Sequence, residues 1–153
     1  MEVGRLMKQI LSKEELSKIS STISEVEKQT SGEIRVVVKK RLSFFEKRKK
    51  IRDLAFKEFY KLKMNETKDK TGVMIYILVK EKKFEIIADE GIQNKVAPFY
   101  WDVISQTLSE RFLHNEFCKG ICDFVNEVGI VLIKEFPIKH DDKNELSNEV
   151  IIS

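Results

Sequence analysis

A chain of 153 residues with 42% hydrophobic content is long enough to bury one substantial core, which suggests a single domain over 1–137 followed by a polar tail over 138–153. Its 28 lysines and arginines nearly cancel 25 acids to leave +3, so the overall balance does not argue for nucleic acid or membrane binding, and nucleic acid is not expected as a partner. No stretch approaches the roughly 18 apolar residues of a membrane span, and the start Met1-Glu2-Val3-Gly4-Arg5 has no apolar segment of signal-peptide length, so a soluble cytoplasmic protein is expected.

In chain order, Ser12-Lys13-Glu14-Glu15 is a capping-box pattern that predicts a helix start. Leu16, Ile19, Ile23 and Val26 follow as one apolar stripe, and Gly32 is suited to a left-handed cap at its end. Glu33 to Lys39, centred on Ile34-Arg35-Val36-Val37-Val38, is β-branched and short and reads as a strand. Ser43-Phe44-Phe45-Glu46 repeats the capping box and predicts a second helix to about Leu62, with Phe45, Ile51, Leu54, Ala55, Phe59 and Leu62 inward.

The polar segment Met64 to Lys70 leads into an apolar run from Val73 to Val79, whose two faces both look buried, as in a middle strand. After the break at Glu81-Lys82, Lys83 to Ala88 predicts an antiparallel partner. The strand–helix–strand order before it implies a right-handed crossover and a parallel first pair. Pro98 suits a first helical position for a third helix carrying Trp101, Ile104, Leu108 and Phe112 inward, ending near His114-Asn115. A fourth helix, about Lys119 to Glu135, buries Ile121, Phe124, Val125, Val128, Val131 and Leu132; Gly129 within it points to close approach of another element. The tail is expected to be partly ordered at most. The fold class is therefore α/β: a three-layer α/β/α sandwich around a small mixed sheet.

That topology gathers acids on one rim. Glu33 opens the first strand, Asp69 precedes the second, and Asp89 with Glu90 closes the third. Carboxylates on adjacent strand ends, about 4.8 Å apart, can share a cation and repel without one. Oxygen ligands without histidine or thiolate favour Ca²⁺ or Mg²⁺, with Asn65, Thr67, Thr71 and loop carbonyls available to complete the shell. Charge is polarised elsewhere too: Lys39 to Arg52 holds eight bases and one acid. Such a run is permissive for an anionic partner, although a solvated helix face is its commoner meaning. Cys118 and Cys122 read as packing or indifferent surface thiols, since no second Cys/His pair at zinc spacing exists. Asp141 to Glu145 lacks the glycine and spacing of an EF-hand loop, and His114 and His140 lack supporting partners for triad catalysis. No Walker-A, G-x-S-x-G, G-x-G-x-x-G or H-E-x-x-H pattern is present.

Ser31-Gly32-Glu33-Ile34-Arg35-Val36, Gly72-Val73-Met74-Ile75-Tyr76-Ile77, Phe84 to Ile92 and the Phe117-to-Ile121 block with Gly120 resemble, in order and spacing, the TPM domain family. The resemblance covers about residues 12 to 137 and is closest to the family's soluble bacterial branch. It implies an α/β/α sandwich, divalent-cation binding at an acidic rim and, in some members, a weak acid-phosphatase activity. Carried over by position, the cation ligands are Glu33, Asp69 and Asp89, with Asp123 or Glu127 on the fourth helix as further candidates. The chain is expected to depart from the family in having no secretion signal, no trailing membrane helix and not the usual acidic start before its first helix. The function expected is a divalent-cation-binding module with Glu33, Asp69, Asp89 and Glu90 at its site and another protein as its possible partner. The alternatives are a metal-assisted phosphomonoesterase and an adaptor that binds an anionic partner through residues 39–52.

Overall fold

In a computed structural model of the chain, which describes residues 11–138 and 150–153, a four-stranded sheet with spatial order Lys83–Ala88, Gly72–Leu78, Glu33–Lys39, Ile151–Ile152 carries helices on both faces. The elements run α1 (Lys13–Glu27), β1 (Glu33–Lys39), α2 (Ile51–Lys61), β2 (Gly72–Leu78), β3 (Lys83–Ala88), a single turn α3 (Glu90–Gln93), α4 (Tyr100–Leu113), α5 (Phe117–Glu135) and β4 (Ile151–Ile152). The three-layer arrangement is the expected one.

Local chemistry explains most boundaries. The Ser12 hydroxyl accepts from the Glu15 amide while the Glu15 carboxylate accepts from the Ser12 amide, so both halves of the capping box are made. Gly32 ends the helix differently from the expected cap: no glycine among the described residues has positive φ. Its smallness serves packing, because a Cβ would come within 2.7 Å of Leu132 Cδ2. Gly129 does the same on α5, where a Cβ would meet both Cγ atoms of Val26 at 2.9 Å. The close approach read from sequence is thus that of α1.

β1 and β2 pair in parallel with Glu33 opposite Gly72, and β2 and β3 pair antiparallel with Val73 opposite Ala88. All seven residues of β2 are buried, as a central strand requires. Ile34, Val36, Val38, Val73, Ile75 and Ile77 face the core under α1, α4 and α5. Val37, Met74, Tyr76, Leu78 and Ile87 face Leu54, Ala55 and Phe59 of α2 on the other side.

The second helix is shorter than expected. The Ser43–Glu46 capping box is formed, but it closes only a 3₁₀ turn over Glu46–Arg48, and Lys49 and Lys50 are extended before α2 begins. Phe45, expected on the buried side, is 76% exposed. No apolar residue between Phe45 and Ile51 continues a stripe, so nothing pulls a helix against the core there.

Pro98 sits in the turn before α4 rather than inside it, and α5 starts two residues earlier than read. Part of the tail is structured: Ile151 and Ile152 pair in parallel with Val37 and Val38 as the outer strand. Residues 139–149, with His140 and Asp141 to Glu145, lie outside the described residues. Among the described residues no helix is long and apolar enough to cross a membrane.

Candidate functional site

Three strand ends meet in one row. Glu33 lies opposite Gly72, and the amide of Asp89, one residue past β3, donates to Gly72 O at 2.9 Å. The parallel crossover and the hairpin therefore bring Glu33, Thr71 and Asp89 to the same rim. The loop before β2 is folded on itself there. Thr71 N donates to Thr67 Oγ1 at 3.1 Å, and Lys70, with φ 56°, turns the chain into the strand while its Nζ donates to Asn65 O at 2.8 Å. Beyond β3, Asp89 Oδ1 accepts from Glu90 N at 2.8 Å and starts α3. Gly91 then comes so near the loop that a Cβ would stand 2.2 Å from Asp69 O and 2.4 Å from Lys70 O. Only a glycine lets these carbonyls approach.

Three side-chain oxygens of this rim are buried without a hydrogen-bond partner: Asn65 Oδ1, Thr71 Oγ1 and Asp89 Oδ2. Each such atom costs about 1–3 kcal/mol unless something satisfies it. The donor set is carboxylate, hydroxyl and amide oxygen, which is the chemistry of a hard cation. Asp69 is half-buried and Glu90 exposed. Among the described residues no three His, Cys, Asp or Glu side chains converge as a metal-holding group. An ion here would therefore lean on neutral and backbone oxygens beside the aspartates.

Glu33 is placed at the rim by register, but its carboxylate is engaged elsewhere. Arg35, in the middle of β1 and 2% exposed, donates through Nη2 to Glu33 Oε2 at 3.1 Å and through Nη1 to Glu27 Oε2 at 2.9 Å. Glu27, at the end of α1, also accepts from the Ile34 amide at 2.7 Å, while its Oε1 is buried with no partner. The three charges form a buried triad tying helix to strand. One guanidinium cannot neutralise two carboxylates, and burial, opposed by Arg35 and reinforced by Glu33, pushes the Glu27 carboxyl up to about 8. The reading of sequence missed this unit, although an arginine between apolar neighbours in a strand covered on both faces has to be paired.

The remaining expectations fall outside the rim's hydrogen bonds. Asp123 pairs with Arg111 of α4 at 3.4 Å, and it lies with Glu127 beside the groove between α4 and α5. His114 is exposed, its Nδ1 within 2.8 Å of Glu110 O. Cys118 and Cys122 are buried free thiols, and burial with the neighbouring Cys122 pushes the Cys118 thiol up to about 11, an inert packing group as expected.

The model of the TPM domain matches residues 6–131. The chain is 36% identical to the BA42 protein of the psychrophilic bacterium Bizionia argentinensis, whose NMR structure superposes with a TM-score of 0.82 over 94% of this chain and 95% of that one. The N-terminal domain of a P. gingivalis protein, also solved by NMR, is 14% identical with a TM-score of 0.65 over 86% of this chain and 83% of that one, a likeness of fold alone. Among curated proteins no match was found.

Proposed function

The chain belongs to the TPM domain family, and we propose that it is a divalent-cation-binding domain whose ion sits between the 64–71 loop and the end of β3. The observation that carries this reading is the trio of orphaned buried oxygens, Asn65 Oδ1, Thr71 Oγ1 and Asp89 Oδ2, on elements held together by register. Asp89 and Asp69 would supply negative charge, and Asn65, Thr71 and the nearby carbonyls neutral oxygens. Ca²⁺ or Mg²⁺ fits this set; Ca²⁺ tolerates the irregular loop geometry better. Glu90 can add a ligand from the exposed side. Glu33 would join only by leaving Arg35, so the cation site is best centred on Asp89.

Calorimetric titration tests the proposal. Wild type is expected to release or absorb heat with CaCl₂, to melt higher in its presence, and to lose at least roughly tenfold in affinity in Asp89→Asn. Absence of heat together with an unchanged melting temperature would sink the reading. An ion held in this way would also polarise a phosphate ester. Turnover of an aryl phosphate that vanishes in Asp89→Asn would make the site a phosphomonoesterase, and cation binding without turnover would leave a binding domain.

A further inference from the structure

The opposite end of the sheet is as basic as the rim is acidic. The chain leaves β1 through Lys39, Lys40 and Arg41, and Leu42, 7% exposed, pins the departing segment to the core. The 43–48 turn is then closed by its capping box, with Ser43 N donating to Glu46 Oε1 at 2.8 Å. This turn holds Phe44 and Phe45 outward, 67% and 76% exposed, edge to face at 5.8 Å. Lys47, Arg48, Lys49 and Lys50 follow, all exposed, while Arg52, also exposed, is paired with Glu85 at 2.6 Å. Val79 N donates to Lys39 O at 3.0 Å, which brings the β2–β3 turn with exposed Lys80, Lys82 and Lys83 to the same end. Two adjacent solvent-facing phenylalanines within this lysine- and arginine-rich segment are not explained by packing, since neither ring belongs to either core.

We propose that this end docks on an anionic lipid surface, with Phe44 and Phe45 entering the interface and the surrounding lysines and arginines meeting the headgroups. Apolar insertion and cationic attraction are the two signals that together give stable peripheral binding, and each is weak alone. Exposed phenylalanines flanked by cations suit a bilayer, which needs no complementary pocket. Single-stranded nucleic acid suits it less. Stacking requires open ring faces, whereas the Arg48 guanidinium lies over the Phe44 ring at 5.1 Å and Phe45 stands edge-on to it.

The test is co-sedimentation of the full chain with vesicles of phosphatidylcholine, with or without about a third phosphatidylserine, near physiological salt. The chain is expected to pellet with the anionic vesicles only. Phe44→Ser/Phe45→Ser is expected to lower the partition coefficient roughly tenfold or more at unchanged melting temperature, since both side chains are exposed. Lys47→Glu/Lys49→Glu is expected to weaken binding and flatten its salt dependence. Failure to bind anionic vesicles, equal binding by the phenylalanine variant, or displacement from vesicles by single-stranded RNA each overturns the proposal.

Discussion

Replacing Arg35 with methionine is expected to destabilise the protein by about 3–5 kcal/mol at neutral pH, the cost of removing one partner from a buried ionic group. Methionine preserves much of the side-chain volume, so the loss reports charge. Glu27 and Glu33 would be left facing each other at 8% and 2% exposure with no cation between them. For a chain of this size the loss corresponds to a melting temperature lower by on the order of 10 °C. Thermal unfolding across pH identifies the cause: without Arg35 to hold it down, the Glu27 carboxyl rises beyond its wild-type value of about 8, so the deficit should widen as pH climbs through that value. A deficit below about 1 kcal/mol at neutral pH would mean that Arg35 serves only as packing.

The second large effect belongs to Glu27. Its folded-state value of about 8 lies above the 4.5 of an ordinary glutamate, so between the two the folded chain holds a proton that the unfolded chain has released. A raised value contributes stability that is complete below the unfolded value and is lost as pH rises through the folded one. Wild type is therefore expected to lose on the order of 3–5 kcal/mol between pH ~4.5 and pH ~8 from this group, with a plateau above. Glu27→Gln keeps an oxygen for the Ile34 amide and for Arg35 but cannot ionise. Its stability relative to wild type should climb through that window and exceed wild type above pH ~8. Parallel melting curves for the two proteins from pH 5 to pH 9 would refute the raised value.

Local signals made most of the fold legible. The Ser12–Glu15 box, the β-branched run of β1 and the short break between β2 and β3 each act over a few residues, and each is seen where sequence placed it. Two features depend on more than a local signal. The Ser43–Glu46 box was correctly recognised, but a cap nucleates without guaranteeing propagation, and Lys49-Lys50 offered no apolar stripe to continue it. β4 is two residues long, and its pairing with Val37 and Val38 depends on the whole sheet being in place.

The rim was legible in the same measure, because topology alone carries Glu33, Thr71 and Asp89 to one edge. The side chains' commitments were not. Whether Glu33 faces solvent, an ion or Arg35 depends on where the end of α1 lies, eight residues from Glu27 to Arg35 across a helix end, a turn and a strand start. The orphaned oxygens of Asn65 and Thr71 likewise follow from the tight fold of the 64–71 loop, which begins with Met64 fully buried.

Trace Mn²⁺ added to the nitrogen-labelled protein locates a hard-cation site directly, since the ion takes oxygen ligands and broadens nearby amide resonances. Thr71, Gly72, Glu90 and Gly91 should broaden first, with Lys47 to Lys50 and Asp123 unaffected, and Asp89→Asn should abolish the effect. Broadening centred on any other acidic region, or none at the rim, would contradict a cation site between the 64–71 loop and the end of β3.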